Sequence, residues 1–166
     1  MRLTLERLSK QFKNRIAVEN VNAELTEGIY GFLGANGAGK TTLMQMICGI
    51  IAPTAGEVKV NGKNNTEMGE EFRDLLGYLP QEFGYTPGFT AEDFMFYIAS
   101  VKGLDPRYAK RRTRELMELV SLEGDMKRKI RTFSGGMKRR LGIAQALLND
   151  PKILIMDEPT AGLDPK

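Results

Sequence analysis

An α/β fold with a parallel sheet is the class that this 166-residue sequence predicts. Apolar residues near the N terminus alternate as in short strands, and a glycine-rich segment lies between an apolar run and a helical pattern. A further run that is apolar throughout, Ile153–Met156, lies near the other end of the chain. Strands that are apolar on both faces are typical of parallel sheets, because helices cover both sides of such sheets.

The composition indicates a globular domain rather than a disordered, membrane-spanning or disulfide-linked chain. Hydrophobic residues make up 42% and charged residues 27%, and the net charge of +3 is too small to argue for nucleic acid as a partner. The one cysteine, Cys48, has no second cysteine to pair with, and we expect it to be buried. No apolar run approaches the ~20 residues that span a bilayer, and Met1–Glu6 is not a signal peptide. Any association with a membrane is therefore expected to come through a partner.

Short, partly antiparallel strands are predicted in the first third of the chain. From Leu3 to about Leu25, apolar residues recur at short alternating intervals. The later run Glu57–Val60 leads into Asn61-Gly62, a pair typical of β-hairpin turns.

The segment Gly34–Thr41 fits the pattern G-x-x-x-x-G-K-[ST], whose backbone N–H groups wrap around nucleotide phosphates. The apolar run Ile29–Leu33 before it predicts a buried strand, and Thr42–Cys48 after it predicts a helix that ends at Gly49. Strand, glycine loop and helix are in the order that the pattern requires, so we expect a nucleoside triphosphate as the ligand.

Each residue type in this loop has a chemical reason to be there. Glycines let the backbone approach the anion, Lys40 can reach the β- and γ-phosphates, and the Thr41 hydroxyl can hold Mg²⁺. The start of the following helix adds a partial positive charge. The glycines in question are Gly34, Gly37 and Gly39.

A helical segment interrupts the α/β pattern between about Phe89 and Gly124. Phe94, Tyr97, Ile98 and Val101 follow helical spacing, and a second helix is predicted beyond Pro106. The residues from 102 to 140 include thirteen Lys or Arg against five Asp or Glu, a net charge of +8. Two interpretations stay open, namely the solvated faces of helices or docking to a partner or anionic surface.

Two acids follow the predicted strand Ile153–Met156 directly. In a parallel sheet the carboxyl ends of the strands converge on the ligand crevice, so Asp157 is expected to bind Mg²⁺. Glu158 points elsewhere and is expected to position or deprotonate the attacking water.

Three further positions are candidates for the site. Ser134 is predicted to cap a helix, and the two glycines after it, Gly135 and Gly136, allow another backbone or an anion to approach. Gln81 lies where a core strand gives way to the helical segment. Phe12 lies in a polar stretch; taken alone, core packing is the simpler interpretation, and stacking on a base is the alternative.

Taken together, these motifs resemble the ATP-binding-cassette ATPases along essentially all 166 residues. The order and spacing of five motifs carry the resemblance. They are the Walker A loop at Gly34–Thr42, the glutamine loop at Gln81, the signature at Phe133–Met137 with Phe in place of the usual Leu, Walker B at Ile153–Glu158 and the D-loop at Ala161–Asp164.

The resemblance implies an α/β P-loop NTPase core with a parallel sheet, an N-terminal antiparallel β subdomain and an inserted helical subdomain. Residues 1–88 and 134–166 would form the core and the β subdomain, and residues 89–133 the helical subdomain. ATP and Mg²⁺ are the implied cofactors, with Phe12 stacking on adenine and Thr41, Gln81 and Asp157 around the metal. The implied phosphate contacts are Gly34, Asn36, Gly37, Gly39, Lys40, Thr41 and Thr42. Glu158, Gln81 and Lys40 are the implied catalytic residues.

The family also implies partners and a cellular place. Two ATPase subunits, identical or different, pair head to tail, so that each ATP lies between the Walker A loop of one chain and Ser134, Gly135 and Gly136 of the other. Closure of this dimer on ATP drives a transmembrane permease subunit, and hydrolysis releases it. The expected location is cytoplasmic, at the inner face of the membrane, with no nucleic acid bound.

Three other kinds of cassette protein are rivals to a transport ATPase. Chromosome-maintenance and DNA-repair cassettes carry long heptad coiled coils between Walker A and the signature, and this interval has neither the length nor the repeat. Translation-associated cassette proteins carry two cassettes, whereas one is present. Glu158 argues against a non-hydrolysing cassette. The absence of an Asn-Lys-x-Asp run leaves ATP rather than GTP as the expected nucleotide.

The resemblance further implies a strand and a switch histidine beyond Walker B, and this chain contains no histidine. We therefore expect the 166 residues to be a piece of a longer protein and, by themselves, weakly active. The transported substrate does not follow from these residues. The stretch from Gly84 to Thr90 resembles bacterial drug-export cassettes.

Overall fold

The computed structural model describes residues 1–82 and 84–158. It divides into two compact units, one formed by Met1–Phe72 and one beginning at Arg73. The strands are β1 (Leu3–Phe12), β2 (Arg15–Leu25), β3 (Ala55–Val60), β4 (Lys63–Asn64), β5 (Leu76–Leu79) and β6 (Ile153–Met156). The helices are α1 (Lys40–Ile47), α2 (Asn65–Met68), α3 (Glu70–Leu75), α4 (Ala91–Val101), α5 (Pro106–Leu119) and α6 (Gly135–Ala146).

The first unit is built on an antiparallel sheet with strand order β2-β1-β3-β4. Leu3 of β1 is paired with Leu25 of β2 on one side and with Val60 of β3 on the other. The predicted antiparallel strands are therefore confirmed. Alternation puts one set of apolar side chains on the buried face of this sheet, which comprises Leu3, Leu5, Leu8, Val18, Val58 and Val60.

The turn between β3 and β4 is the hairpin turn that the Asn61-Gly62 pair predicts. Asn61 has φ 49° and Gly62 has φ 84°, and a two-residue hairpin turn with both angles positive matches the twist of the strands it joins. Helix α1 buries Leu43, Met44, Met46 and Ile47. Cys48 directly after it is buried, as predicted.

The second unit combines a parallel strand pair with helices. β5 and β6 run parallel, with Leu76 opposite Ile153 and Leu79 opposite Met156. The core is formed mainly by apolar side chains of α4, α5 and α6. Its fully buried large members are Met95, Leu116, Met117, Leu122, Ile130, Leu141 and Leu148.

Side-chain caps fix the starts of these helices. Thr90 and Asp93 form a reciprocal capping box at α4, and Asp105 accepts hydrogen bonds from two N–H groups at the start of α5. Pro106 occupies the first turn of α5, where its missing N–H costs nothing. Within the part of the chain that the structure describes, every helix is too short or too polar to cross a bilayer.

One predicted strand is wrong. The run Ile29–Leu33 is not a strand, and Ile29 and Leu33 are almost fully exposed. A strand requires a hydrogen-bonded neighbour, and none of the strands within residues 1–82 and 84–158 pairs with this segment. The β6 strand is likewise less buried than its apolar sequence predicts, with Leu154 39% and Met156 36% exposed.

Candidate functional site

The predicted phosphate loop is an exposed loop that leads into the first turn of α1. Residues 34 to 38 are exposed, and Gly39, Lys40, Thr41 and Thr42 are half-buried. Helix α1 begins after Gly39 with no side-chain cap and no acidic residue in its first turn. The open N–H groups and the partial positive charge of the helix end favour an anion at this point.

Glycine at position 39 is a steric requirement. Its φ is 87°, in the left-handed region, and a Cβ built on it would clash with the backbone carbonyl oxygen of Ala17. Gly37 is also left-handed, with φ 81°. The tight path of the loop therefore depends on these two residues, as expected for a backbone that curls around a phosphate.

The Lys40 side chain folds back over the loop. Its Nζ donates to the carbonyl oxygens of Gly34 at 2.6 Å and Ala35 at 2.9 Å. The ammonium group is therefore held by the mouth of the loop, and its bond to a phosphate oxygen stays a prediction.

Phe12, at the end of β1, is 47% exposed, so the core-packing interpretation of this residue is wrong. The Nζ of Lys10 lies 5.1 Å from the centre of its ring. An exposed aromatic face beside a cation is available for stacking, and adenine stacking stays a prediction for this residue.

The second unit brings together Gln81 and Glu158, which are 77 positions apart. Each lies just beyond the carboxyl end of a strand, Gln81 after β5 and Glu158 after β6. The Gln81 Nε2 donates to the Glu158 Oε2 at 3.2 Å. Parallel pairing of β5 and β6 explains this meeting, because it brings both strand exits to one edge of the sheet.

Asp157 lies beside this pair and is 1% exposed. Its backbone N–H donates to the Leu79 carbonyl at 2.9 Å, but its side-chain Oδ2 has no hydrogen-bond partner among the described residues. A buried carboxylate oxygen without a donor is costly, and a bound cation would satisfy it. The residues present thus fit the Mg²⁺ that the sequence predicts. No group of three His, Cys, Asp or Glu within residues 1–82 and 84–158 is arranged to hold a metal alone.

Arg139 is a functional candidate that the sequence reasoning missed. It lies on α6, is 5% exposed, and its guanidinium donates to backbone carbonyls that follow β5 and β6. Burial lowers the pKa of Arg139, and the charges of Asp157 and Glu158 partly offset that effect. Its position in a strongly basic stretch concealed it, because most charges in such a stretch are solvated.

The Ser134 cap is confirmed at the start of α6. Its Oγ accepts the Met137 N–H at 3.2 Å. Among the described residues outside its own helical turn, no atom lies within 4 Å of a Cβ placed on Gly135, and the first turn carries no acidic residue. This helix start is thus open to an approaching group and favourable to an anion. The predicted D-loop, Ala161–Asp164, lies outside the described residues.

A groove with an aromatic lining lies between β5, the segment that follows it and α4. Tyr97 is 52% exposed there and packs edge-to-face on Phe89 at 5.8 Å. Two residues of the lining are hydrogen-bonded to each other, since Gln145 Nε2 donates to the Tyr78 carbonyl oxygen at 2.8 Å. The lining residues are Tyr78, Pro80, Gly84, Tyr85, Thr86, Phe94, Tyr97, Ile98 and Gln145.

Known relatives share this sequence over nearly its whole length. The chain is 40% identical to the bacitracin transport ATP-binding protein BcrA of Bacillus licheniformis, over 95% of the chain and 51% of the relative. It is 36% identical to the Nod factor export ATP-binding protein I of Burkholderia pseudomallei (strain 1710b), over 99% of the chain and 54% of the relative. The chain thus spans about half the length of these curated relatives.

Solved structures share the fold. The dimeric structure of the bacterial ABC transporter cassette MJ0796 matches with a TM-score of 0.87 at 30% identity, over 98% of this chain and 76% of that one. A dimeric post-hydrolysis state of the same cassette, bound to ADP and phosphate, matches with a TM-score of 0.85 at 29% identity and the same coverage.

The family model for ABC transporters matches residues 18–161. The antiparallel sheet, the phosphate loop before α1 and the parallel strands that end in Asp157 and Glu158 agree with that match. This chain therefore belongs to the ABC transporter ATP-binding family, whose fold is an α/β P-loop NTPase cassette and whose cofactors are ATP and Mg²⁺.

Proposed function

We propose that the protein containing this chain is the ATP-hydrolysing subunit of a membrane transporter, with Glu158 as the general base. The observation that carries the proposal is the group at the carboxyl ends of β5 and β6. There Gln81 holds the Glu158 carboxylate at 3.2 Å, beside the buried and unpaired Oδ2 of Asp157.

The residues have separate tasks in this mechanism, except Gln81, which has two. Lys40 exchanges its carbonyl partners for phosphate oxygens and neutralises their charge, and the open N–H groups of α1 hold the phosphates in place. Asp157 and Gln81 would hold Mg²⁺, which supplies electrostatic stabilisation of the phosphates. Thr41 is proposed as a further metal ligand from the sequence motif of the phosphate loop alone. Glu158 accepts the proton of the attacking water, and Gln81 orients the Glu158 carboxylate.

The second proposal is that two cassettes complete each other's sites. The open helix start at Ser134–Gly136 favours an anion, and no described residue occupies the space next to Gly135. A γ-phosphate held by the phosphate loop of one subunit would be bound by this helix start of the other. The dimeric form of the related cassette MJ0796 supports this arrangement.

The aromatic groove suits a permease segment. Its lining is mainly apolar, its exposed Tyr97 is a typical interface residue, and it adjoins the Gln81 segment that touches Glu158. A helix of a membrane subunit seated there would sense the nucleotide through Gln81. The chain would then act at the cytoplasmic face of the membrane, held there by that permease.

The names of the relatives favour an exporter. One relative is described as acting in bacitracin transport and another in Nod factor export. We infer that this protein likewise drives export.

The Glu158→Gln variant of the full-length protein tests the proposed function. The amide keeps the shape of the side chain but removes the base, so kcat should fall by at least about 100-fold while MgATP affinity stays within a few-fold of the wild type. The measurements are steady-state phosphate release and calorimetric binding. A dimer should accumulate with ATP in gel filtration.

Glu123→Gln is the matched control, because this substitution removes the same charge at a distant position. Glu123 is exposed in the 3-10 turn at Glu123–Asp125. The turnover of this variant should match that of the wild type. If Glu158→Gln hydrolyses ATP at the control rate and stays monomeric with ATP, Glu158 is not the base.

A further inference from the structure

The guanidinium of Arg139 connects α6 to both catalytic strand exits. Its Nη1 donates to the carbonyl oxygen of Pro80 at 2.9 Å and to that of Gln81 at 3.3 Å. Its Nη2 donates to the carbonyl oxygens of Asp157 and Glu158. One side chain therefore holds the backbone of Gln81 and that of Glu158.

Arginine is the residue type that suits this position. The guanidinium is a planar, rigid group with donors on two terminal nitrogens, so each nitrogen can serve one strand exit. A lysine ammonium is a single point and does not span two exits in the same way. Because Arg139 is 5% exposed, its charge depends on these carbonyls for the solvation that water would otherwise provide.

The backbone that Arg139 holds at Glu158 is strained. Glu158 has φ 49°, which places a residue with a Cβ in the left-handed region. Strained conformations of this kind persist only where the surrounding contacts enforce them. The bond from Arg139 to the Glu158 carbonyl is such a contact, and the Gln81 side chain provides a second one at the carboxylate.

We propose that Arg139 is a positioning residue that sets the orientation of the Glu158 carboxylate by holding the backbone of Gln81 and Glu158. It acts through these two residues and does not itself touch the nucleotide. Because α6 begins at the Ser134 cap, Arg139 also ties the position of that helix start to the geometry of the base. The inference rests on the proposed ATPase function and assigns a positioning residue to its hydrolysis site.

The test compares Arg139→Gln with Arg140→Gln in the full-length protein. Arg140 is the matched control, because its Nη1 also binds two backbone carbonyls, those of Val120 and Ser121, each at 3.0 Å, and the proposed mechanism uses neither of these residues. Arg139→Gln should lower kcat by about 10- to 100-fold, the effect of a small misplacement of a reacting group, with MgATP affinity within threefold of the wild type. Arg140→Gln should change kcat by less than threefold.

Two further variants separate positioning from folding. Arg139→Lys keeps the buried charge, and we expect its melting temperature to stay within a few degrees of the wild type while kcat falls about tenfold. In a Glu158→Gln background, adding Arg139→Gln should lower the residual rate by less than threefold, since the base it positions is already absent.

The proposal is overturned if the kcat of Arg139→Gln or of Arg139→Lys is within threefold of the wild-type kcat. It is also overturned if Arg139→Gln and Arg140→Gln lower kcat by the same factor. The proposal is also overturned if Arg139→Gln lowers the residual rate of the Glu158→Gln variant by the same factor as it lowers the wild-type kcat. A wild-type protein that does not hydrolyse ATP would instead overturn the proposed function itself, so the two failures are distinguishable.

Discussion

At the residue scale, the charged side chains of the candidate site are each defined by one or two contacts, present or missing. Lys40 is held by two carbonyls of the phosphate loop, Asp157 keeps one buried oxygen without a partner, and Glu158 is fixed by Gln81. The unpartnered oxygen of Asp157 is costly because this residue is buried, whereas Glu158 is exposed and Lys40 is half-buried. In the proposed mechanism, Lys40 supplies the cation for the phosphates, Asp157 the anion for a metal and Glu158 the base for water.

The Lys40→Ala variant should lose most of its affinity for MgATP. The change removes the ammonium group that the mouth of the loop holds, so we expect at least about a 100-fold weaker Kd from the loss of charge-assisted bonds to phosphate. Calorimetry or a fluorescent ATP analogue measures it. Lys63→Ala is the control, because Lys63 is 69% exposed and pairs with Glu71 at the surface. Equal affinity in the two variants would refute the role of Lys40.

At the scale of elements, much of the fold followed from local patterns. The alternation that predicted β1 and β2, the Asn61-Gly62 turn and the spacing that predicted α4 are all properties of neighbouring residues. Patterns of this kind are visible in a sequence because side-chain period and turn chemistry are local.

The errors concern properties that depend on distant residues. Ile29–Leu33 has the composition of a buried strand, but strand formation requires a partner, which composition does not specify. The same limit applies to the site. The sequence motifs indicated Gln81 and Glu158 separately, whereas the role of Arg139 appears only when four backbone carbonyls from two strand exits converge on it.

The capping box of α4 gives a prediction about this element. Thr90→Ala removes the hydroxyl that accepts the Asp93 N–H at 3.1 Å and donates to the Asp93 carboxylate at 2.6 Å, so stability should fall by about 1 kcal/mol. Thr90→Ser keeps the hydroxyl and should stay within about 0.5 kcal/mol of the wild type. Denaturant unfolding measures both. A loss that is the same for Ala and Ser would show that the cap does not matter.

The same box predicts the sign of a pH effect. Hydrogen bonds from Thr90 lower the pKa of Asp93, so the folded state binds this proton less readily than the unfolded chain. The stabilisation is present above the unfolded pKa of ~3.9 and is lost as the pH falls through the folded pKa. The difference between wild type and Thr90→Ala should therefore shrink below about pH 4 rather than grow.

For the whole molecule, the central feature is that one chain carries two helix starts suited to an anion. One follows the phosphate loop at Gly39, and the other follows Ser134. One nucleotide can contact both kinds of helix start if each site takes one of them from each of two subunits. The dimeric form of the related cassette MJ0796 agrees with such sharing.

Mixing subunits with opposite defects tests this sharing most directly. Lys40→Ala disables the phosphate loop, and Ser134→Arg fills the open helix start while sparing ATP binding to its own loop. Each variant alone should be inactive. In a mixed dimer of the full-length proteins both defects fall on the same composite site, and the other site is intact. We predict that steady-state phosphate release returns to a substantial fraction of the wild-type rate, up to about half if the two sites act independently. No activity above that of the separate variants, although mixed dimers are shown to form, would contradict the account.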